Sequence, residues 1–240
     1  MRIITFAKRN FKEIIRDPIS LIFSCLLPLF LLFIFQQFKI PNEAYKLTNF
    51  TPSIILFSFS FITLFTATLV AKDRETSLLI RLGVSPMVSS EYIFGYMLSV
   101  LPVVVIQNIL FFILAIILGL SFTINIIWTI LISLLVSVFF IFLGILLGSL
   151  TTVKGSSGIS SVIIQLVCFT SGMYFDSSMV GKGFATVCEY LPFKPALNII
   201  QGTLNNFSID FKSIIIFIIY TVIVLITAII IFNKKMISDK

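Results

Sequence analysis

Among the short charged segments of this 240-residue chain, the one best placed to do chemistry is Ala71 to Glu91, which reads AKDRETSLLIRLGVSPMVSSE. Four consecutive charges, Lys72, Asp73, Arg74 and Glu75, open it; Leu78, Leu79, Ile80 and Leu82 follow, with Arg81 among them, and Ser85-Pro86 stops the run. Ser89, Ser90 and Glu91 then offer capping chemistry for a helix beyond. Residues that carry catalysis are missing elsewhere. Histidine is absent, which removes the usual general base, proton shuttle and metal ligand. Cys25, Cys168 and Cys188 show no C-x-x-C spacing, so neither a disulfide framework nor a metal site is supported. No G-x-x-x-x-G-K-[ST] occurs, and Gly181-Lys182-Gly183 lacks the strand and helix that a phosphate cradle needs. With no paired carboxylates at membrane depth and no activated nucleophile, the chain does not read as an enzyme.

The elements that must hold this stretch are oily helices. Of all residues 58% are hydrophobic and 11% charged, and the runs 19–38, 51–70, 92–120, 124–150, 159–175 and 214–232 contain no Asp, Glu, Lys or Arg. About 20 apolar residues cross a hydrocarbon core as a helix, and only a closed backbone hydrogen-bonding pattern survives there. The expectation is an all-α membrane protein of one domain with six transmembrane helices. Pro28 should kink the first span, Thr51-Pro52 should open the second, and the 29-residue third, about 43 Å long as a helix, must tilt, bend at Pro102 or protrude. Ser121-Phe122-Thr123 reads as a tight turn, and Lys154-Gly155-Ser156-Ser157-Gly158 as a flexible loop.

Residues 1–17 set Ile3, Ile4, Ala7, Phe11, Ile14 and Ile15 against Arg2, Lys8, Arg9, Lys12 and Arg16, the pattern of an amphipathic helix lying in the membrane interface. A signal peptide would carry a shorter basic head. With the amino terminus inside, inner segments hold 12 of the 17 Lys and Arg residues, so both termini are placed in the cytoplasm. The net charge of +7 is thus a topology signal; no basic stripe beside aromatics suggests nucleic acid.

Four aliphatics in a cytoplasmic loop, residues 71–91, should seek a groove on another protein or the membrane surface. The spans hold no ionisable group to bind a coupling ion, so energy should come from outside the bilayer. Asp73-Arg74-Glu75 through Leu79, Arg81-Leu82 and Val84-Ser85-Pro86 resembles the signature of ABC-2 type transporter permeases, with Ser77, Leu78 and Ile80 where Gly, Thr and an acidic residue are usual. Ser171-Gly172-Met173-Tyr174-Phe175, then Glu189-Tyr190-Leu191-Pro192-Phe193 and Ala196-Leu197, extend the likeness, with Asp176 in place of the usual Pro. Residues 184–191 and 196–200 are too apolar for a solvated loop and too short to span. The external region 176–212 is therefore expected to form short re-entrant helices before the last span, the alternative being a cap lying on the bilayer.

The resemblance implies the transmembrane permease subunit of an ABC exporter in a bacterial plasma membrane, paired with a second permease, identical or related, and with two ATPase subunits that use ATP and Mg. This chain itself would bind no cofactor. On that resemblance Asp73, Arg74, Glu75, Leu78, Leu79, Arg81, Leu82 and Pro86 couple to the ATPase. Ser58, Thr63, Thr66, Gln165, Phe169 and Thr170 are candidates for the translocation path, and Gly172, Tyr174, Phe175, Leu191, Pro192 and Phe193 for an external gate. Hydroxyls on spans also bond back to their own helix or pack neighbours, and Gly144 and Gly148 form a G-x-x-x-G that permits close packing. A path of hydroxyls and aromatics suits an amphipathic cargo such as a drug, an antimicrobial peptide or a lipid-like molecule. The alternatives are a non-pumping membrane scaffold or immunity protein, and an ion-coupled carrier.

Overall fold

The computed structural model describes residues 2–38, 43–76, 87–174, 179–206 and 208–238, and apart from its turns every described element is helical. The amphipathic start folds as α1 (Arg2–Ile15), burying Phe6, Ala7, Asn10 and Ile14 on one face. Pro18, in the first turn, starts α2 (Pro18–Gln37), which runs on through Pro28. After a 3-10 turn at Glu43–Tyr45 comes α3 (Leu47–Glu75). It begins ahead of Thr51-Pro52, so Pro52 lies inside the helix. A proline there removes one ladder donor and crowds the preceding turn. The Asn49 carbonyl in that turn accepts hydrogen bonds from Ser53 Oγ and Gln201 Nε2, each at 2.9 Å.

Next is α4 (Ser89–Ile117), whose Glu91 carboxylate reaches back to accept from the Val88 N–H at 3.0 Å. Gly119, at φ +113°, turns the chain just past its end. Only Thr151 and Thr152 separate α5 (Ile124–Leu150) from α6 (Val153–Thr170). Residues 154–158, read from their Gly and Ser content as a loop, are the opening turns of α6. The Thr152 hydroxyl caps them, accepting from the Gly155 N–H at 3.2 Å. Two short helices, α7 (Lys182–Tyr190) and α8 (Phe193–Leu204), precede α9 (Phe211–Ser238). Among the described residues α3, α4, α5, α6 and α9 are long and apolar enough to cross a membrane, and Leu21–Gln37 of α2 is a shorter apolar helix.

α3 is the axis of the bundle. Its most apolar window is 83% buried inside the chain, against 28% for α6 and 11% for α9. Between membrane helices, close packing rather than hydrophobic exclusion supplies the attraction, and small residues permit it. Gly144 and Gly148 of α5 do this. A Cβ on Gly144 would lie 2.7 Å from the Thr63 carbonyl oxygen, and one on Gly148 2.8 Å from Val70 Cβ.

α8 runs back along α5. The Phe193 ring at its start packs against Phe139 and Phe140, with centroids 6.5 and 6.3 Å away, while the Leu204 carbonyl at its end accepts from Asn125 Nδ2 at 3.3 Å. Those contacts are 14 residues apart on α5, about 21 Å of helix. The turn between α7 and α8 therefore sits about halfway along α5, and Lys194 with it.

Both chain ends meet at one end of the bundle. Phe6 of α1 packs edge-on against Tyr92 and Tyr96 of α4, Tyr92 meets Phe232 of α9, and Ser89 Oγ donates to Asn233 Oδ1 at 3.0 Å.

Candidate functional site

The charged residues at the end of α3 point in different directions because consecutive helical positions are about 100° apart. Asp73 faces inward and is 1% exposed. Arg9 of α1 holds it with two hydrogen bonds, Nη2 to Oδ1 at 3.0 Å and Nη1 to Oδ2 at 3.1 Å, and Tyr96 of α4 donates its hydroxyl to Oδ2 at 2.8 Å. The bidentate fork suits a carboxylate and fixes its plane. Arg9 also reaches Glu13 at 2.7 Å and donates to Asn10 Oδ1 at 2.7 Å, and Lys72 closes the cluster on Glu13 at 3.0 Å. Burial alone would loosen the Arg9 proton, but the hydrogen bond and charge of Asp73, with the charge of Glu13, outweigh it and raise its pKa. α1 can come this near because α4 carries Gly95 opposite it; a Cβ there would stand 2.5 Å from the Phe6 ring.

Arg74 turns the other way. Its Nη1 donates to the carbonyls of Gly148 and Thr151, at 3.1 and 3.3 Å, where α5 ends with orphan acceptors. Glu75 Oε1 accepts from the Val153 N–H at 2.9 Å, at the start of α6 where a carboxylate is favoured. Three successive residues thus tie α3 to α1 and α4, to α5, and to α6. Leu78, Leu79, Arg81, Leu82 and Pro86 of the sequence-predicted coupling set lie outside the described residues.

The candidate path residues separate into two groups. Ser58, Thr63 and Thr66 are fully buried inside the bundle. Ser58 donates to the Ile55 carbonyl at 2.7 Å, and Thr63 to Phe140 of α5 at 3.0 Å. Thr170 is buried and bonds back to Leu166 at 2.6 Å. Gln165 and Phe169 are exposed, and with Ser157 and Ser161 they recur every fourth position on the open face of α6.

Of the gate candidates, Gly172 adopts φ +85° and ends α6 in the left-handed conformation that favours glycine. The Tyr174 carbonyl accepts from the Tyr45 hydroxyl at 3.1 Å, and its ring joins Phe35 and, through it, Tyr45 and Phe50. Pro192 and Phe193 are buried, Leu191 is half-buried, and Phe175 lies outside the described residues.

Sequence reasoning missed Arg9, Glu13 and Tyr96 as partners of Asp73. Arg9 and Glu13 stand at i,i+4, a readable local pair, but nothing local announces a partner 64 residues away. It also missed the polar stripe Lys194, Asn198, Gln201 and Asn205 on α8, whose i, i+4, i+7, i+11 spacing was a usable signal. Gln107 and Asn108, buried in α4, were missed too; Gln107 Nε2 donates to Ser24 Oγ at 3.1 Å and both polar atoms of Asn108 lack a partner among the described residues. Also among the described residues, no group of three His, Cys, Asp or Glu gathers to hold a metal ion.

A comparison with curated proteins found no match. The model of the ABC-2 type transporter family matches residues 1–205, from α1 through the end of α8. That span includes the charged junction and all but one of the long apolar helices, and on it the chain belongs to the ABC-2 type transporter family, as a membrane permease component of an ABC transporter.

Proposed function

We propose that this permease is one half of the membrane channel of an exporter, driven by ATP hydrolysed on two separate subunits. α2 completes a set of six spans, both termini face the cytoplasm, and α7 and α8 form a re-entrant hairpin closing the outer side. The carrying observation is the junction at Asp73, Arg74 and Glu75. These residues lead directly into the segment 77–86, and a displacement of that segment reaches α1, α4, α5 and α6 through charge-assisted bonds rather than through soft apolar contacts. Rigid-body rocking about such an interface is a recognised way to switch a bundle between states. An ATPase gripping the segment does work only if its contacts differ between nucleotide states.

The open face of α6 supports the pairing with a second permease. Ser157, Ser161 and Gln165 are poor neighbours for lipid, and small hydroxyl residues are favoured where membrane helices meet. Gln165 and Phe169 then border the path, while Ser58, Thr63 and Thr66 lie buried behind it, Thr63 tying α3 to α5. An amphipathic cargo fits that border.

Changing Leu79 or Arg81 to Asp should abolish co-purification of the ATPase and substrate-stimulated hydrolysis while membrane insertion stays intact. Normal transport by either variant would overturn the assignment.

A further inference from the structure

α1 carries three faces. Phe6, Asn10 and Ile14 are buried against the bundle; Ile4 and Ile15, 68% and 55% exposed, form with Phe11 an open apolar stripe; Lys8, Lys12 and Arg16 stand on the next strip of surface. Beside that third face is a cavity of about 960 Å³ lined by Thr5, Lys8, Arg9, Lys12, Glu13, Arg16, Asp17 and Lys72. Its charges do not cancel. Arg9 and Lys72 are taken up by Asp73 and Glu13, whereas among the described residues no carboxylate stands within ion-pair distance of Lys8, Lys12 or Arg16.

We propose that this groove is a binding site for the headgroup of an anionic phospholipid, with phosphate on Lys8, Lys12 and Arg16 and an acyl chain along Ile4 and Ile15. An apolar stripe abutting a cationic strip matches a lipid at the boundary between headgroups and chains, and clustered basic residues next to membrane helices select anionic lipids. The level is right: Arg9 grips α3 two residues before its end, where the apolar run gives way to charge. An acidic protein surface would match the cations but leave Ile4 and Ile15 uncovered. The site rests on α1 lying in the interface and not on the exporter reading, so nucleotide coupling can fail while lipid selectivity stands.

The test is titration of the purified full-length chain in mild detergent with dioctanoyl phosphatidylglycerol or dioctanoyl phosphatidylcholine, with bound lipid read by native mass spectrometry. The phosphatidylglycerol should bind roughly 100-fold tighter, with the preference falling as salt rises. Lys8→Gln/Lys12→Gln/Arg16→Gln should remove the preference, a loss of roughly 100-fold, and Lys12→Gln alone about fivefold. The single variant serves should the triple one fail to fold. Equal binding of the two lipids, or a preference unchanged in Lys12→Gln, overturns the proposal. So does displacement of phosphatidylglycerol by an equal concentration of inorganic phosphate, which would mark a free-anion site. Loss of the co-purifying ATPase in the triple variant with its lipid preference intact would assign the groove to that protein instead.

Discussion

The two ends of the bundle are joined by different chemistry. At the end that bears both termini, α1, α3 and α4 converge on a buried carboxylate held by a guanidinium and a phenol. At the opposite end most of the long-range bonds are neutral. Gln201 donates to Asn49 at 2.9 Å, Asn205 Nδ2 to Asn49 Oδ1 at 3.0 Å, Asn125 to Asn206 at 3.0 Å, and Phe35 stacks on Tyr45 at 5.6 Å. The described ion pairs there, Lys46 with Glu43 and Lys212 with Glu189, are surface pairs of little weight. A charged fork resists exchange because either partner left alone in a buried site is costly. Amides trade partners at about 1 kcal/mol each. The comparison teaches that one end is held by a charge pair that is costly to break and the other by neutral bonds that exchange partners at little cost, the difference that the proposed coupling lever and outer gate would need.

Removing the carboxylate tests that contrast most severely. Asp73→Ala should cost about 3 to 5 kcal/mol, read as a lowered midpoint of unfolding in detergent, with α1 becoming accessible to proteolysis. A variant as stable as the parent would show that the junction carries no load. Gly148→Ala, in the seam between α3 and α5, should cost about 1 to 3 kcal/mol by overpacking against Val70 and the Ala67 carbonyl. This probe of the middle should fall between the two ends on the same unfolding assay. Gln201→Leu should cost only about 0.6 kcal/mol and should loosen α8, seen as faster amide exchange at residues 193–204. If it destabilised the chain as much as Asp73→Ala, the difference between the ends would vanish.

Much of the architecture was legible in the chain. The apolar runs anticipated α3, α4, α5 and α9 to within a few residues in their cores, because a helix crossing oil needs an unbroken apolar segment whatever its neighbours. Boundaries were less legible. Pro52 looked like an opening and Lys154-Gly155-Ser156-Ser157-Gly158 like a loop, since local propensity favours both readings; capping by Thr152 and Glu75 and packing on α3 made helix of the second. The charged run Lys72 to Glu75 stood out in the sequence, but its inward anchorage did not, because a partner 64 residues distant leaves no local pattern. Ser58 and Thr63 carried the ambiguity of every hydroxyl in a span, which can bond its own helix, a neighbour or a cargo; the structure buries both.

The sequence by itself determined that this chain is a bundle of membrane helices with most of its basic residues on alternate connecting segments, since hydrophobicity and charge act residue by residue and need no partner. Only the tertiary structure decided which helix lies at the centre, which face of α6 stays open, and that Asp73 meets Arg9 and Tyr96. Those outcomes depend on contacts between segments far apart along the chain, where a single methyl or a single rotation of a helix chooses the neighbour.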